Sequence, residues 1–225
     1  MDKKPNRTTF KQNRTLEFFK GERKPPNSHE NAQPNQTYET RAETDLYRLV
    51  EANKKFGTIY IDPPWQYSNQ ATRASTDNHY QTMPVDEIAA LPVGELATEK
   101  SHLHLWTTNA FLFECPKLLE AWGFEYKGVF VWAKNQMGIG NYWRVSHELM
   151  ILGVRGKLTF SDRSQTSWIL TDRTKHSAKP DAVAKRIEMV SPGPYIELFA
   201  RRTRKNWTVW GNEIEKTLFN KEAFK

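Results

Sequence analysis

Short apolar runs alternate along this chain with segments of helical spacing, and this alternation limits the folds that the chain can adopt. The apolar runs predict strands at Thr58–Ile61, His102–Trp106, Val129–Lys134, His147–Gly153, Trp168–Leu170, Tyr195–Phe199 and Trp207–Trp210. The segments between them predict helices at Ala42–Phe56, Met83–Leu91 and Asn109–Trp122, and a last helix that His176–Asp181 opens and that runs to Val190. Such alternation predicts an α/β fold with a mainly parallel sheet and helices on both faces.

The composition fits one domain of this kind. The 225 residues are 38% hydrophobic and 26% charged, which is sufficient for one sizeable core. The single cysteine, Cys115, excludes a disulfide framework and a cysteine-based zinc finger. Apolar runs fall short of the ~18 residues of a membrane span, and the amino terminus has no signal-peptide core. We therefore expect a protein of the cytoplasm or nucleus that has no membrane partner.

Positive charge is concentrated near the amino terminus. The net charge is +7 with a pI near 9.4, and residues 1–41 hold nine Lys or Arg against five Asp or Glu, or +4. We predict that residues 1–41 form a basic, disordered arm, that 42–215 form the folded domain and that 216–225 are a tail. The arm is suited to binding nucleic acid, and a solvated tail is the alternative.

The residues Asp62-Pro63-Pro64-Trp65 follow the first predicted strand, at the end where open α/β sheets place their chemistry. The two prolines fix the backbone and have no N–H groups, so we expect their carbonyl oxygens to be free acceptors. Asp62 and the Pro63 carbonyl are then suited to accept hydrogen bonds from an exocyclic amine, while Trp65 stacks on the base. The alternative is a plain turn in which the Asp is a cap and the Trp packs in the core.

Metal and nucleotide motifs are weak or absent. His102 and His104 share one face of a predicted strand, a spacing that metal sites sometimes use, but packing or hydrogen bonding is favoured and we predict no metal. Neither G-x-G-x-x-G nor a P-loop occurs in the sequence. The remaining candidate for a cofactor strand is 195–199. Cofactor residues would then follow the Asp62 motif, in a permuted order.

Further motifs occur in one order: Leu105-Trp106, Trp132-Ala133-Lys134, His176-Ser177-Ala178-Lys179-Pro180-Asp181, Ser191-Pro192-Gly193, Glu197-Leu198-Phe199-Ala200-Arg201 and Trp210-Gly211-Asn212-Glu213. Together with the Asp62 motif they resemble the DPPW-type S-adenosylmethionine-dependent adenine N6-methyltransferases, the family founded on the seventy-kilodalton mRNA adenosine methyltransferase subunit. The resemblance covers about Asp45 to Glu213. It implies a Rossmann-like class I methyltransferase fold, S-adenosyl-L-methionine as cofactor and S-adenosyl-L-homocysteine as product.

The resemblance also implies roles for individual residues. It implies catalytic roles for Asp62, Pro63, Pro64 and Trp65. It implies substrate contacts for Tyr80, Trp106, Trp132, Lys134, Glu148 and His176. It implies cofactor contacts for Asp45, Leu46, Asp62, Lys179, Glu197, Phe199, Arg201, Asn212 and Glu213. Lys179 is expected to pair with the cofactor carboxylate, and Glu213 to accept from ribose hydroxyls. The alternatives are core packing for the tryptophans, an ion pair for Glu148 and a surface charge at a helix start for Lys179. The basic run Arg201, Arg202, Arg204 and Lys205 is alternatively suited to binding phosphate.

The resemblance implies methyl transfer to N6 of adenine in nucleic acid. DNA is favoured over RNA because the chain is compact and resembles bacterial and phage members, which also favours a cytoplasmic, prokaryotic or phage-encoded enzyme. RNA adenine N6-methylation, DNA cytosine N4-methylation and a non-catalytic nucleic-acid-binding subunit are alternatives. A homodimer, or a pair with a second methyltransferase-like subunit in which this chain is the active half, is also expected. In duplex DNA the target must leave the stack, and the polar loop 66–81 is predicted to stabilise the displaced strand.

Overall fold

The computed structural model describes residues 41–43, 45–67, 82–138, 142–172 and 178–211. The described strands are β1 (Arg41–Glu43), β2 (Phe56–Ile61), β3 (Ala97–Thr107), β4 (Glu125–Lys134), β5 (His147–Arg155), β6 (Trp168–Thr171), β7 (Tyr195–Leu198) and β8 (Trp207–Trp210). The described α-helices are α1 (Leu46–Glu51), α2 (Val85–Ala89), α3 (Val93–Leu96), α4 (Cys115–Trp122) and α5 (Asp181–Val190), and a 3₁₀-helix covers Asn109–Glu114.

These strands form one eight-stranded sheet in the order β1-β8-β7-β2-β3-β5-β4-β6. The strand β5 pairs antiparallel with β3 and β4, and the other neighbouring pairs are parallel. All strands except β5 therefore point the same way, and their carboxyl ends meet at one edge, here called the carboxyl edge. The prediction of a mainly parallel α/β sheet is confirmed.

The two faces of the sheet have different helical covers. Alternate side chains of β2 point to opposite sides, so Ile59 and Ile61 join one apolar cluster while Tyr60 joins the other. The first cluster includes buried side chains of α1, α2, α3 and α4. The second includes buried side chains of α5 together with Trp106, Trp132 and Trp207. Helices on both faces are thus confirmed. Within the described ranges, no helix is long and apolar enough to cross a membrane.

The predicted helix Ala42–Phe56 is wrong at both ends. Residues Arg41–Glu43 pair in parallel with β8 as an edge strand, and Phe56 is the first residue of β2. The helix is short because Asp45 accepts a hydrogen bond from the Tyr47 N–H at 3.0 Å and so fixes the first turn. At the other end, Asn53 has a left-handed φ of 49°, which a helix does not continue.

Further boundaries differ from prediction. Asn109 begins a 3₁₀-helix rather than an α-helix, and its Oδ1 lies 3.1 Å from Nε2 of His147. The helix α5 begins only at Asp181, with Pro180 as its N-cap. Phe199 lies beyond β7 and has a left-handed φ of 60°. Gly123 ends α4 with φ of 72°, a left-handed conformation that glycine adopts readily.

His102 and His104 form a buried hydrogen-bonded pair on the α5 face of β3. His102 Nδ1 and His104 Nε2 each lie 2.9 Å from Oγ of Ser191, and the ring of His104 stacks on Phe160. Both histidines are almost inaccessible to solvent. The structure therefore gives these side chains the hydrogen-bonding role that the sequence favoured.

We expect this pair to make the fold sensitive to mild acid. Burial lowers the pKa of His102 from 6.5 to about 4 and that of His104 from 6.5 to about 3. The unfolded chain binds these protons at a higher pH than the folded chain does, so stability falls as the pH drops from 6.5 towards 4. At about 1.4 kcal/mol per pKa unit for each imidazole, the free energy of unfolding should decrease by roughly 2–3 kcal/mol between pH 6.5 and about pH 5.

Urea unfolding at a series of pH values measures this dependence. The variant His104→Gln keeps a donor for Ser191 but does not titrate, so it should remove about half of the slope in this range. A slope that stays the same in this variant would show that the histidine pair is not its cause.

Candidate active site

Asp62 lies at the centre of the carboxyl edge. It directly follows β2, which lies between β7 and β3 in the sheet, and its backbone N–H donates to the carbonyl of Leu198 at 3.5 Å. Its side chain is 26% exposed, so the carboxylate is partly sheltered and still accessible from the edge. Open α/β sheets bind their ligands at this edge.

The two prolines after Asp62 do not leave their carbonyls free. The Pro63 oxygen accepts from the Trp65 N–H at 2.9 Å, and the Pro64 oxygen accepts from the Met83 N–H at 2.8 Å. The expectation of free acceptors is therefore wrong, because the chain turns tightly after Pro63 and returns beside Pro64. A carbonyl oxygen has a second lone pair, so the Pro63 oxygen keeps the capacity for one more donor.

Trp65 packs inside the domain. Its ring stacks on Phe111 at 4.8 Å with an interplanar angle of 14°, and its Nε1 donates to the Trp106 carbonyl at 3.3 Å. The side chain is 7% exposed and belongs to the cluster under α1–α4. The packing alternative therefore describes Trp65 in this structure, and stacking of this ring on a base stays a prediction.

Four charged side chains form a chain of ion pairs at the centre of the site, here called the charge cluster: Asp62, Lys179, Glu148 and Lys134. Nζ of Lys179 lies 2.7 Å from Oδ2 of Asp62 and 3.1 Å from Oε2 of Glu148. Lys134 pairs with the other oxygen of Glu148. The two lysines and Glu148 are 10–17% exposed. The cluster brings together four of the residues that the sequence assigned to the site.

The mutual pairing decides the charge states within the cluster. Burial alone would raise the pKa of Glu148, but Lys179 and Lys134 outweigh it and hold the pKa below its ordinary 4.5. Burial alone would lower the pKa of Lys179, but Asp62 and Glu148 raise it above 10.5. The stabilisation from Glu148 is thus lost as the pH falls below about 4.5, and that from Lys179 as the pH rises above 10.5.

Two tryptophan rings pack against the two lysines of the charge cluster. Nζ of Lys179 lies 5.3 Å from the ring centre of Trp106, and Nζ of Lys134 lies 4.3 Å from that of Trp132. Both distances are within the range of cation–π attraction. Both indoles are 1% exposed, and their N–H groups donate to Tyr60 Oη at 2.7 Å and to Thr171 Oγ1 at 2.8 Å. The tryptophans are therefore core residues that also support the cations.

A second acidic group lies beside the cluster, at the end of β7. Glu197 accepts from Nε of Arg204 at 3.2 Å, and Arg204 also contacts Asp181 at 2.9 Å. Burial raises the pKa of Glu197 although Arg204 opposes this. Glu197 in turn raises the pKa of the buried Tyr60 phenol, after the larger effect of burial itself. This phenol therefore stays protonated at neutral pH.

The sequence did not assign Tyr60 or Arg204 to the site. Tyr60 precedes Asp62 by two positions and so points to the same face of the sheet, which is a signal that the sequence did contain. Arg204 belongs to a basic run whose members could not be distinguished without the fold.

Other assigned residues have no ion pair with the charge cluster in the described structure or lie outside the described residues. Asp45 caps α1, and Leu46 is 2% exposed in the core, so the Leu46 side chain packs rather than lining the edge. Phe199 packs against Trp210 with ring centres 5.1 Å apart. Arg201 follows β7 at the carboxyl edge and is half-buried. The predictions for Tyr80, His176, Asn212 and Glu213, and for most of the loop 66–81, lie outside the described residues.

A separate apolar cavity of about 220 Å³ lies between α5 and the strands β4 and β5. Its wall includes Phe130, Met150, Phe160 and Ile187, and none of the residues assigned to the site from sequence. The charged chemistry of the described residues is therefore at the open carboxyl edge rather than in this cavity.

A family model named MT-A70 matches residues 56–213, which include the whole charge cluster and the Glu197–Arg204 pair. The chain belongs to the MT-A70 family. This family consists of methyltransferases with a class I fold, in agreement with the observed sheet, and the chain is accordingly a methyltransferase.

Curated relatives support the same membership. The type II methyltransferase M.MunI of Mycoplasma sp is 32% identical over 183 residues, which are 72% of this chain and 78% of that protein. The N(6)-adenine-specific methyltransferase METTL4 of Homo sapiens is 30% identical over 75% of this chain and 39% of its own length. The human N(6)-adenosine-methyltransferase catalytic subunit METTL3 is 29% identical over 75% of this chain and 30% of its own. The chain thus spans less than half of the two human relatives.

Proposed function

We propose that this MT-A70 protein transfers a methyl group from S-adenosyl-L-methionine to N6 of adenine in DNA. One observation carries the proposal: the Asp62 carboxylate, at the central carboxyl edge, is held by Lys179 and followed by a rigid Pro-Pro turn with one carbonyl lone pair available. A positioned carboxylate beside a carbonyl is an acceptor pair for an amino group. The family and the names of the relatives support the same chemistry.

The donor set of the site fits the cofactor. S-adenosyl-L-methionine carries a carboxylate, an ammonium group and a ribose diol, and when bound it supplies an electrophilic methyl group on a sulfonium. An ammonium such as Lys179 has three N–H donors, and its contacts with Asp62 and Glu148 use two of them. The third is suited to the cofactor carboxylate. Glu197, at the end of β7, offers carboxylate oxygens to a hydroxyl or ammonium group.

The chain's own residues contribute positioning and charge. Asp62 accepts from the target amine and turns the lone pair of its nitrogen away from the ring. As positive charge develops on that nitrogen, the carboxylate stabilises it within a partly sheltered site. Lys179 fixes the Asp62 side chain, Glu148 fixes Lys179, and Lys134 fixes Glu148, so the acceptor is oriented before substrate arrives. After transfer the methylated nitrogen gives its extra proton to solvent, which reaches the partly exposed edge at Asp62, and no covalent intermediate forms on the protein.

DNA is proposed over RNA because of the share of each relative's length that this chain matches. The relative matched over most of its own length, M.MunI, is named a type II methyltransferase. Relatives named adenosine methyltransferases, such as METTL3, match this chain over 30% of their length or less. Methylation of RNA adenine is the second candidate, because METTL3 is 29% identical over the same domain. A cytoplasmic location in a prokaryotic or phage-encoded setting belongs to the same proposal.

The proposal includes a protein partner. METTL3 is named a catalytic subunit, which describes a protein that acts with others. A homodimer, or a pair with a second methyltransferase-like chain, is therefore part of the proposal. In such a pair this chain is the active half, because its Asp62 motif is intact.

We expect labelled methyl to enter DNA faster than RNA when matched duplex DNA, single-stranded DNA and RNA of one sequence are compared under single-turnover conditions. Rates at equal concentrations of each nucleic acid provide the measurement. A higher rate on RNA would identify RNA as the preferred substrate and would leave the proposed methyl-transfer reaction unchanged. Cofactor binding by calorimetry without transfer to any of the three would instead favour a non-catalytic subunit, or one that lacks its partner.

A further inference from the structure

The loop between β4 and β5 presents two aromatic side chains to solvent at the carboxyl edge. It leaves β4 after Lys134 and enters β5 at His147, so it begins and ends at the same edge as Asp62. Tyr142 is 96% exposed and Trp143 is 89% exposed. Such exposure of two adjacent large aromatic residues costs solvation free energy unless a partner covers them.

Hydrogen bonds hold the base of this loop in place. The Lys134 N–H donates to the Ser146 carbonyl at 2.7 Å, and the Gly138 N–H donates to the Val145 carbonyl at 2.8 Å. Nε of Arg144 donates back to the Gly138 carbonyl at 2.8 Å. A Cβ at Gly138 would lie 2.5 Å from the Val145 oxygen, so this close approach requires glycine. The aromatic pair therefore stands directly before an anchored turn.

Two members of the charge cluster lie at the two ends of this loop. Lys134, the residue before the loop, pairs with Glu148, the second residue after it. Glu148 contacts Lys179, which contacts Asp62. Two ion pairs thus connect Glu148, beside the loop, with the proposed amine acceptor.

The charge of the loop favours a polyanionic partner. Residues 135–147 contain Arg144 and no Asp or Glu, and the whole chain carries +7. Aromatic rings beside a basic residue are the usual means of binding unpaired nucleotides, because bases stack on the rings and phosphates contact the cation. An adenine that enters the site must leave its own stack, and this exposes the faces of its neighbours.

We infer that Tyr142 and Trp143 form a stacking platform for nucleotides that flank the extruded target adenine, with Arg144 contacting a phosphate. This inference rests on the proposed function and specifies how the same site holds its nucleic-acid substrate. The platform acts in substrate binding and has no role in the transfer step.

The test measures the affinity for a fluorescently labelled, adenine-containing duplex by anisotropy, with S-adenosyl-L-homocysteine present. Trp143→Ala should weaken binding about tenfold, and Trp143→Phe, which keeps a ring, should stay within about threefold of the parent protein. The matched control is Tyr126→Ala, an exposed aromatic at the opposite end of β4, which should leave the affinity unchanged. Arg144→Gln should reduce the slope of log affinity against log salt by about one.

Calorimetry with S-adenosyl-L-homocysteine should show the same cofactor affinity in all these proteins. If Trp143→Ala and Tyr126→Ala bind DNA equally well and the parent protein transfers methyl, the stacking platform is wrong and the proposed function is retained. A parent protein that neither binds nor methylates any nucleic acid overturns both. Sedimentation that shows a dimer of the parent chain, a monomer of Trp143→Ala and unchanged DNA affinity makes the surface an interface between copies and overturns the inference.

Discussion

Asp62→Asn is expected to lower the rate of methyl transfer by roughly 10³-fold while the affinity for S-adenosyl-L-homocysteine stays within about threefold. The asparagine side chain has almost the same shape, so it should keep the turn at Pro63. It removes the negative charge that stabilises the nitrogen as this atom becomes positive, and it directs an NH₂ group or a neutral oxygen at the amine. The loss should therefore fall on the rate constant for transfer and not on cofactor binding.

Single-turnover methyl transfer and calorimetry measure these two quantities separately. The control is Asp86→Asn, because Asp86 is also paired with a lysine, Lys117, but its side chain is 82% exposed in α2. That variant should transfer methyl at the parent rate. An Asp62→Asn protein that works as fast as Asp86→Asn would remove Asp62 from the chemistry.

Lys179→Met should both destabilise the fold and stop transfer. Lys179 is 13% exposed and pairs with the carboxylates of both Asp62 and Glu148. In the variant Glu148 still has Lys134 as a partner, whereas Asp62 loses its ion pair with Lys179. Removal of one partner from a buried ion pair typically costs about 3–5 kcal/mol, because the remaining charge has no compensation. The pKa of Glu148 should rise for the same reason, so the variant should be most destabilised at neutral pH and least below about pH 4.

Urea unfolding at neutral and acidic pH checks the stability, and single-turnover transfer checks the activity. Lys117→Met is the matched control: it removes an exposed lysine from an ion pair with Asp86, and it should leave the free energy of unfolding almost unchanged. Lys179→Arg keeps the charge and should recover much of the stability, while its different geometry should leave transfer slow. Equal stability of Lys179→Met and Lys117→Met would contradict the structural role of the charge cluster.

The sequence was informative about the fold where side chains repeat regularly. The apolar runs around Ile59, Leu103 and Ile151 lie in strands of the central sheet, since their alternation reports which side chains are buried. The short elements carried no such signal. Residues Arg41–Glu43 become a strand only because β8 lies beside them, and Val93–Leu96 is a single turn of helix. The register of β5 between β3 and β4 likewise depends on contacts that local sequence does not encode.

The sequence predicted most residues of the site, but it predicted fewer of the contacts between them. Asp62 and Lys179 are 117 positions apart, and only the order of motifs indicated that they belong together. The pairing of Glu148 with Lys134 follows from the antiparallel register that places Trp132 opposite Glu148. The position of Trp65 could not be inferred, because Phe111 comes to it from a distant helix. The Glu197–Arg204 pair could not be inferred for the same reason, because the fold brings its two residues together.

The measurement that tests the account most directly is mass spectrometry of nucleosides from DNA incubated with the parent protein and S-adenosyl-L-methionine that carries a deuterated methyl group. We expect N6-methyl-deoxyadenosine with three deuterium atoms from the parent protein, and none in the parallel reaction with Asp62→Asn. Labelled N4-methyl-deoxycytidine would contradict the assignment of the target base. Equal amounts of labelled adenine product from the two proteins would contradict the central claim that Asp62, held by Lys179, performs the chemistry.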